Sequence, residues 1–300
     1  MTVLCGIAGW VDKSLIDSNL FYPLSVKTSA DRLRFYASQF SLVEVDSTYY
    51  GIPKPEVVAS WAAETPADFV FDVKSFSLFT NHPTRAANLP PDVRAELPSG
   101  LKDKNIYVEA MPEELVDELW DRFRAAVEPL RATGKLAAVF FQFPPWFVPS
   151  SRSLAYIEQC QERMFGFQVA VEFRKPEWLD PSHRDGTFAF LRSRDIPYVA
   201  VDVPEGHRTS MPPVFETSSA KLAVIRFHGR NHKTWDLKGV PPNVRFRWDY
   251  SDAELGEWVP RIKEMERSVG RVHALMNNNY SNYSVKNAQQ LQKLLEAWHK

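Results

Sequence analysis

Short apolar, β-branched runs recur along the chain at residues 5–9, 42–45, 69–73, 136–141, 168–171, 198–201, 222–227 and 272–276. Their hydrophobicity is nearly continuous rather than alternating, as a parallel strand buried on both faces requires. Amphipathic segments lie between most of them, and strand–helix alternation at this spacing predicts βαβ units. Eight such units predict an α/β fold, a (β/α)8 TIM barrel forming a single domain over residues 1–300.

The intervening helices are legible. Ser29 is placed to cap a helix carrying Leu33, Tyr36, Ala37 and Phe40, and Pro55 suits the first position of a helix with Val58, Trp61 and Ala62. Pro112 opens the clearest helix, in which Leu115, Leu119, Phe123, Ala126 and Leu130 form one stripe that Gly134 ends. Ser251 and Glu254 read as a capping box, with Pro260 set to kink or break the helix that follows. Ser284 is the expected cap of the last helix. Two stretches depart from the rhythm. Residues 75–111 form a long, partly proline-rich insertion after strand three, read as a lid or partner surface. Residues 203–221 show no helical pattern, so the sixth helix is degenerate.

Where the strands finish, the chain turns polar. The ends read Glu44-Val-Asp46, Asp72-Val-Lys74, Gln142-Phe-Pro-Pro145, Glu172-Phe-Arg174, Val201-Asp202, Arg226-Phe-His228 and Asn277-Asn-Asn279. Strand side chains alternate faces, so Glu44 with Asp46, Glu172 with Arg174, and Arg226 with His228 each share a face. Turning these charges outward against apolar helices is costly. Turned inward, they ring the C-terminal mouth, where barrel enzymes carry their catalytic groups. The plainer alternative is an ion network that only stabilises the barrel.

Composition narrows the picture. Hydrophobic residues make up 44% and charged residues 24% of 300, ample for a globular core. A net charge of −1 with no charged block gives no indication of nucleic-acid or membrane binding, though a local basic patch would leave nucleic acid open. The two cysteines, Cys5 and Cys160, form no Cys-x-x-Cys motif and fit a reducing, cytoplasmic setting. No signal peptide or spanning apolar run is evident, and the triplets at Asn279 and Asn282 are read as chance. No sequence feature specifies an oligomeric state.

Several motifs together are distinctive: Gly6-Ile-Ala-Gly-Trp10, Val43-Glu-Val-Asp-Ser-Thr-Tyr-Tyr50, Thr80-Asn-His82, Phe141-Gln-Phe-Pro-Pro145, Val171-Glu-Phe-Arg174, Arg226-Phe-His-Gly229 and Asn277-Asn-Asn279. In this order they resemble the YecE-like family, a domain of unknown function, over nearly the whole chain. The resemblance implies a TIM-type barrel and brings no established activity. Two departures stand out: Asp46 lies where the family pattern often has Asn, and the proline-rich stretch at 83–99 is longer than usual.

The ring mixes charges. Glu44, Asp46, Glu172 and Asp202 are acids, Lys74, Arg174 and Arg226 are cations, and His82 and His228 can be either. We take Glu44, Glu172, His228, Lys74 and Asp202 as candidate catalytic groups. Trp10, Asp46, Tyr49, His82, Gln142, Arg174, Arg226, Asn277 and Asn278 are candidate substrate contacts. Lys74 is alternatively a Schiff-base nucleophile or a plain ion-pair partner, and His228 a proton shuttle or an orienting group. No cofactor and no metal ligand is assigned, because three cations raise the cost of adding a fourth. A divalent metal on Glu44, Glu172, Asp202 and His228 is the alternative. The expected ligand is a small anionic or hydroxylated molecule, possessing a ring that the aromatic residues can face. Three functions compete: a metal-independent hydrolase or lyase acting on a polar, phosphorylated or sugar-containing substrate; a metal-dependent phosphodiester hydrolase or sugar isomerase; and a non-catalytic binding protein for a ligand or nucleic acid.

Overall fold

Each apolar run becomes a strand in the computed structural model, which describes residues 2–298; Met1, His299 and Lys300, outermost in the expected 1–300 domain, lie outside the described residues. The strands are β1 (Val3–Ala8), β2 (Leu42–Val45), β3 (Val70–Lys74), β4 (Leu136–Gln142), β5 (Val169–Glu172), β6 (Val199–Asp202), β7 (Leu222–Phe227) and β8 (Arg271–Met276). Hydrogen bonding runs β5-β4-β3-β2-β1-β8-β7-β6, parallel throughout. A single bridge, Val171 to Tyr198, joins β5 to β6, with Val171 N–H donating to Pro197 O at 2.9 Å. The fold is therefore a nearly closed TIM-type barrel.

The longer helices pack around it: α1 (Ser29–Ala37), α2 (Pro55–Ala63), α3 (Glu113–Ala132), α4 (Ser151–Arg163), α5 (Arg184–Ser193), α6 (Val259–Ser268) and α7 (Tyr283–Ala297). Two expected caps are corrected. Thr28, with extended backbone, caps α1 through a capping box with Asp31, so Ser29 is already helical. Ser284 lies inside α7, whose flanking residue is Asn282. The Ser251–Glu254 box does form, but its helix stops at Gly256. Pro260 then sits in the first turn of α6, where its missing N–H costs no helical bond. No helix joins β6 to β7 among the described residues, and none is long and apolar enough to cross a membrane.

The insertion after β3 is folded rather than loose. Thr84–Arg85 pairs antiparallel with Asn105–Ile106, and a short helix, Pro91–Glu96, lies between them. Phe76, Leu78, Phe79, Val93, Leu97 and Ile106 bury it against the core, and Phe79 stacks on Trp120 of α3 with ring centroids 3.7 Å apart. One side of it reaches the mouth of the barrel at His82.

Inside the ring the lower barrel is apolar: Leu42, Val70, Ala138, Phe140, Ala170, Val199, Leu222, Val224 and Leu275 pack on one another. Strand register sets what lies above them. Glu44 stands beside Ala8 and Asp72, Gln142 beside Glu172, and Val201 beside Arg226. On β2, β3 and β5 the change from apolar to charged occurs within the barrel, one inward position above Leu42, Val70 and Ala170, at Glu44, Asp72 and Glu172.

Gly6 sits on the inner face of β1 against β2. A Cβ there would lie 2.2 Å from the Leu42 carbonyl oxygen, a backbone atom that cannot rotate away. We expect Gly6→Ala to force β1 from β2 and destabilise the protein by about 3 kcal/mol. Urea unfolding monitored by far-UV circular dichroism checks this; a midpoint equal to wild type would contradict the close strand approach.

Candidate functional site

Arg226, on β7, is 1% exposed and reaches across the barrel. Its Nε and Nη2 donate to the two oxygens of Glu44 on β2 at 2.8 and 2.6 Å. Its Nη1 donates to Glu172 Oε2 on β5 at 2.5 Å and to Gln142 Oε1 on β4 at 3.0 Å. Such a fork satisfies a buried guanidinium with paired, directional bonds. Burial would raise Glu172, but Arg174 and Arg226 hold it well below the ordinary carboxylate range. Burial, reinforced by nearby Asp46, pushes Glu44 up against the pull of Arg226.

A second tier rests on this one. Arg174 Nη2 donates to Gln142 Oε1 at 3.3 Å and lies 2.9 Å from His228 Nε2, while its Nε is 2.5 Å from Glu172 Oε1. A guanidinium can only donate, so His228 Nε2 accepts and the neutral ring keeps its proton on Nδ1; the Asn277 carboxamide, whose Nδ2 position lies 2.8 Å from Nδ1, must then turn its oxygen to that proton. Burial, then Arg174, drives the His228 pKa down to about 3, consistent with that neutral state. Deeper still, His273 Nδ1 meets Asp72 Oδ2 at 2.7 Å, and both side chains are wholly buried.

Above these tiers opens a cavity of about 930 Å³. Its floor carries Asp46, Lys74, Gln142, Arg174 and Asn277, and its walls carry Trp10, Trp61, Tyr49, Tyr50, His82, Trp235, Arg245 and Phe246. Lys74 Nζ lies 3.8 Å from Asp46 Oδ1 and 4.4 Å from the centre of the Tyr49 ring, with no hydrogen-bond partner among the described residues. Burial lowers the Lys74 pKa, only partly offset by Asp46. Burial would raise Asp46, but Lys74 and Arg226 more than reverse it and leave it below its usual value. His82 is pushed down to about 3 by burial, then by Lys74 and Arg174. Its ring lies edge-on between Tyr49 and Trp146, at 5.4 and 5.8 Å.

Most of the residues expected at the mouth are brought together there. Trp10, Asp46, Tyr49, Lys74, His82, Gln142, Arg174 and Asn277 line the cavity. Glu44, Glu172, Arg226 and His228 lie immediately beneath, each no more than 1% exposed. Two expectations are corrected. Asp202 points outward, because in register with β7 it is Val201 that matches inward Arg226 while Asp202 matches Phe227. It accepts from Arg230, from the Tyr250 hydroxyl at 2.8 Å and from Trp258 Nε1 at 2.6 Å, beside a separate side pocket of about 430 Å³. Asn278 also points outward, one residue past inward Asn277, and donates to Trp248 O and Asn287 Oδ1 at 2.7 Å. The alternative metal set of Glu44, Glu172, Asp202 and His228 therefore does not assemble. Among the described residues no group of three or more His, Cys, Asp or Glu side chains is placed to hold a metal ion.

The sequence reading did not anticipate the wall built by residues 230–250, with Trp235, Arg245 and Phe246, nor the buried Asp72–His273 pair. Irregular loops carry no periodic signal. Asp72, by contrast, was detectable, since it shares the inward face of β3 with Lys74.

Comparison with known proteins agrees with this architecture. The profile of the family described as "Protein of unknown function DUF72" matches residues 4–300. UPF0759 protein YunF of Bacillus subtilis (strain 168) is 29% identical over 297 residues, covering 98% of this chain and 95% of that one. UPF0759 protein YecE of Escherichia coli (strain K12) is 42% identical over 229 residues, 71% of this chain and 72% of that one. Among solved structures, a DUF72 family protein from Enterococcus faecalis V583 superposes with a TM-score of 0.78 at 24% identity, over 98% of this chain and 95% of that one. Another from Thermotoga maritima MSB8 gives 0.74 at 27% identity, over 99% and 100%.

Removing the central cation should expose what it holds. Arg226→Met leaves Glu44 buried without its partner and Glu172 with Arg174 alone, and should cost about 3–5 kcal/mol at neutral pH. In the wild type, Glu172 titrates below its unfolded value near 4.5, so its contribution is present above that pH and lost as pH falls further. In the variant Glu44, already pushed up by burial, loses the guanidinium that pulls it down and titrates further above its unfolded value, so the deficit should shrink as pH falls. Urea unfolding at a series of pH values reads this directly. A deficit independent of pH would show that Arg226 is not the partner of these acids.

Proposed function

The chain belongs to the DUF72 family, and from that premise we propose that its barrel-mouth cavity is the active site of an acid–base enzyme, of hydrolase or lyase type, acting on a small polar, hydroxylated substrate. The observation that carries this reading is the Asp46–Lys74 pair. These oppositely charged groups lie together on the cavity floor, while the fork of Arg226 beneath is occupied by Glu44, Glu172 and Gln142.

Asp46 Oδ1 is buried without a hydrogen-bond partner among the described residues and is flanked by Lys74 and Arg226, while the side chain as a whole is 28% exposed, so its other edge, with Oδ2, faces the cavity. An ionised carboxylate in that position is able to take a proton from a substrate hydroxyl or from an attacking water. The Lys74 ammonium, with its pKa lowered by burial, faces the same space and offsets the negative charge that then develops. Glu44 and Asp46 are neighbouring carboxyls pushed apart, one up and one down, a pattern that assigns acid and base roles in paired-carboxyl sites. Here the lower-pKa member is the one in the cavity. Arg226 engages both oxygens of Glu44, which supports a framework role for it and favours metal-independent chemistry. Aromatic walls from Trp10, Tyr49 and Trp61 suit the faces of a sugar-like or planar ring. Buried, unpaired Cys5 and Cys160 favour a cytoplasmic setting.

The reading predicts turnover in chelator-treated protein for at least one member of a panel of nitrophenyl glycosides, nitrophenyl phosphates and sugar acids. Asp46→Asn should lower that rate by about 10²–10⁴-fold while leaving the melting temperature near wild type. A rate unchanged by Asp46→Asn, or one regained only on adding metal, would sink it.

A further inference from the structure

The cavity floor can be sorted by hydrogen bonds already made and those still free. Gln142 Oε1 accepts from two guanidiniums at once, Arg226 Nη1 at 3.0 Å and Arg174 Nη2 at 3.3 Å. That double bond to cations fixes which end of the amide faces down. The NH2 group is left on the other branch, with no acceptor among the described residues, on a side chain that lines the cavity. Arg174 spends Nη2 on Gln142 and His228, and Nε lies against Glu172, so Nη1 is its uncommitted edge. Lys74 Nζ donates to nothing among the described residues. β4 carries Gln142 between the strands that carry Lys74 and Arg174, which brings the three together.

The free capacity is thus mostly donors: an ammonium, a guanidinium edge and an amide NH2. Acceptors lie to one side. The exposed edge of the Asp46 carboxylate, opposite its buried Oδ1, is one of them. His82 supplies another. The Thr80 hydroxyl donates to Ser77 O at 3.1 Å, so it receives the His82 Nδ1 proton at 2.9 Å and leaves Nε2 unprotonated.

We infer that Lys74, Arg174 and Gln142 form a receptor for an oxyanion, and that the substrate of this site is a hydroxylated compound bearing a carboxylate or phosphate. This rests on the cavity being the active site, and assigns the class of molecule that enters it. Three directed donors of this kind match the oxygens of such a group. The hydroxyls of the same molecule face Asp46 and His82.

The test uses matched probes on the full chain at constant ionic strength: glucose, gluconate and glucose 6-phosphate, with inorganic phosphate and acetate as minimal anions. Binding is followed by calorimetric titration up to about 50 mM. At least one anion should bind saturably, and gluconate or glucose 6-phosphate should bind at least tenfold more tightly than glucose. Which of the two wins identifies carboxylate or phosphate as the source of the oxyanion. Lys74→Met should weaken the best anion by about ten- to a hundredfold. Gln142→Glu keeps an oxygen for both arginines but turns the free NH2 into a negative oxygen, so it should weaken the anion to a similar degree while the fold remains intact. Asp46→Asn removes a negative charge and should keep or tighten anion binding even as turnover is lost.

No saturable binding of any anion, or affinity for the best anion unchanged in both Lys74→Met and Gln142→Glu, would overturn the inference. Asp46-dependent turnover of a neutral substrate alongside that result would leave the acid–base reading standing. Conversely, anion binding with turnover unaffected by Asp46→Asn would defeat that reading and keep the receptor.

Discussion

The buried fork of Arg226 is the constraint on which the rest of the site depends. A guanidinium enclosed in a barrel is tolerated only when its donors are met by oppositely charged or strongly polar groups. Glu44, Gln142 and Glu172 meet them from three other strands. Two carboxyls against one cation call for further positive charge, and Arg174 and Lys74 supply it nearer the mouth. The orientation of Gln142, the neutrality of His228 and the depressed pKa of Asp46 all follow from where these cations sit.

This arrangement divides the polar residues into two populations. Those below are buried and bonded chiefly to one another, with Asp72 Oδ1 and His273 Nε2 left without a hydrogen-bond partner among the described residues; those above keep donors or acceptors free in a roomy cavity. A site built this way holds its dipoles in place before a ligand arrives, so little reorganisation accompanies binding or charge development. It also explains why charge type alone misleads. Glu172 and Asp46 are both inward acids, yet only Asp46 lines the cavity.

Much of this was readable from the residues. The eight strands and the face-sharing of Glu44 with Asp46, Glu172 with Arg174 and Arg226 with His228 follow from continuous apolar runs and a period of two. Asp202 and Asn278 show the limit of that logic. A polar residue at a strand end is not inward for that reason; parity has to be counted against the neighbouring strand, and one residue of register reverses the answer. The caps at Thr28 and before Tyr283 moved by a residue or more because backbone angles, not residue type alone, decide where a helix begins. Trp235 and Phe246 were hidden in a loop whose path is set by tertiary contacts. Phe246, for instance, lies over the His228 ring at 5.5 Å.

The joint between β5 and β6 gives the barrel a mechanical character. Elsewhere neighbouring strands share several register pairs, whereas here one bridge closes the circumference. A ring with one thin joint behaves like a split collar, whose hoop stiffness is set at the split. From inside, two clasps span that gap: Glu172 to Arg226, and Arg174 to His228. Glu172, held ionised by Arg174 and Arg226, is therefore also a fastening, tying the collar together at its thinnest point.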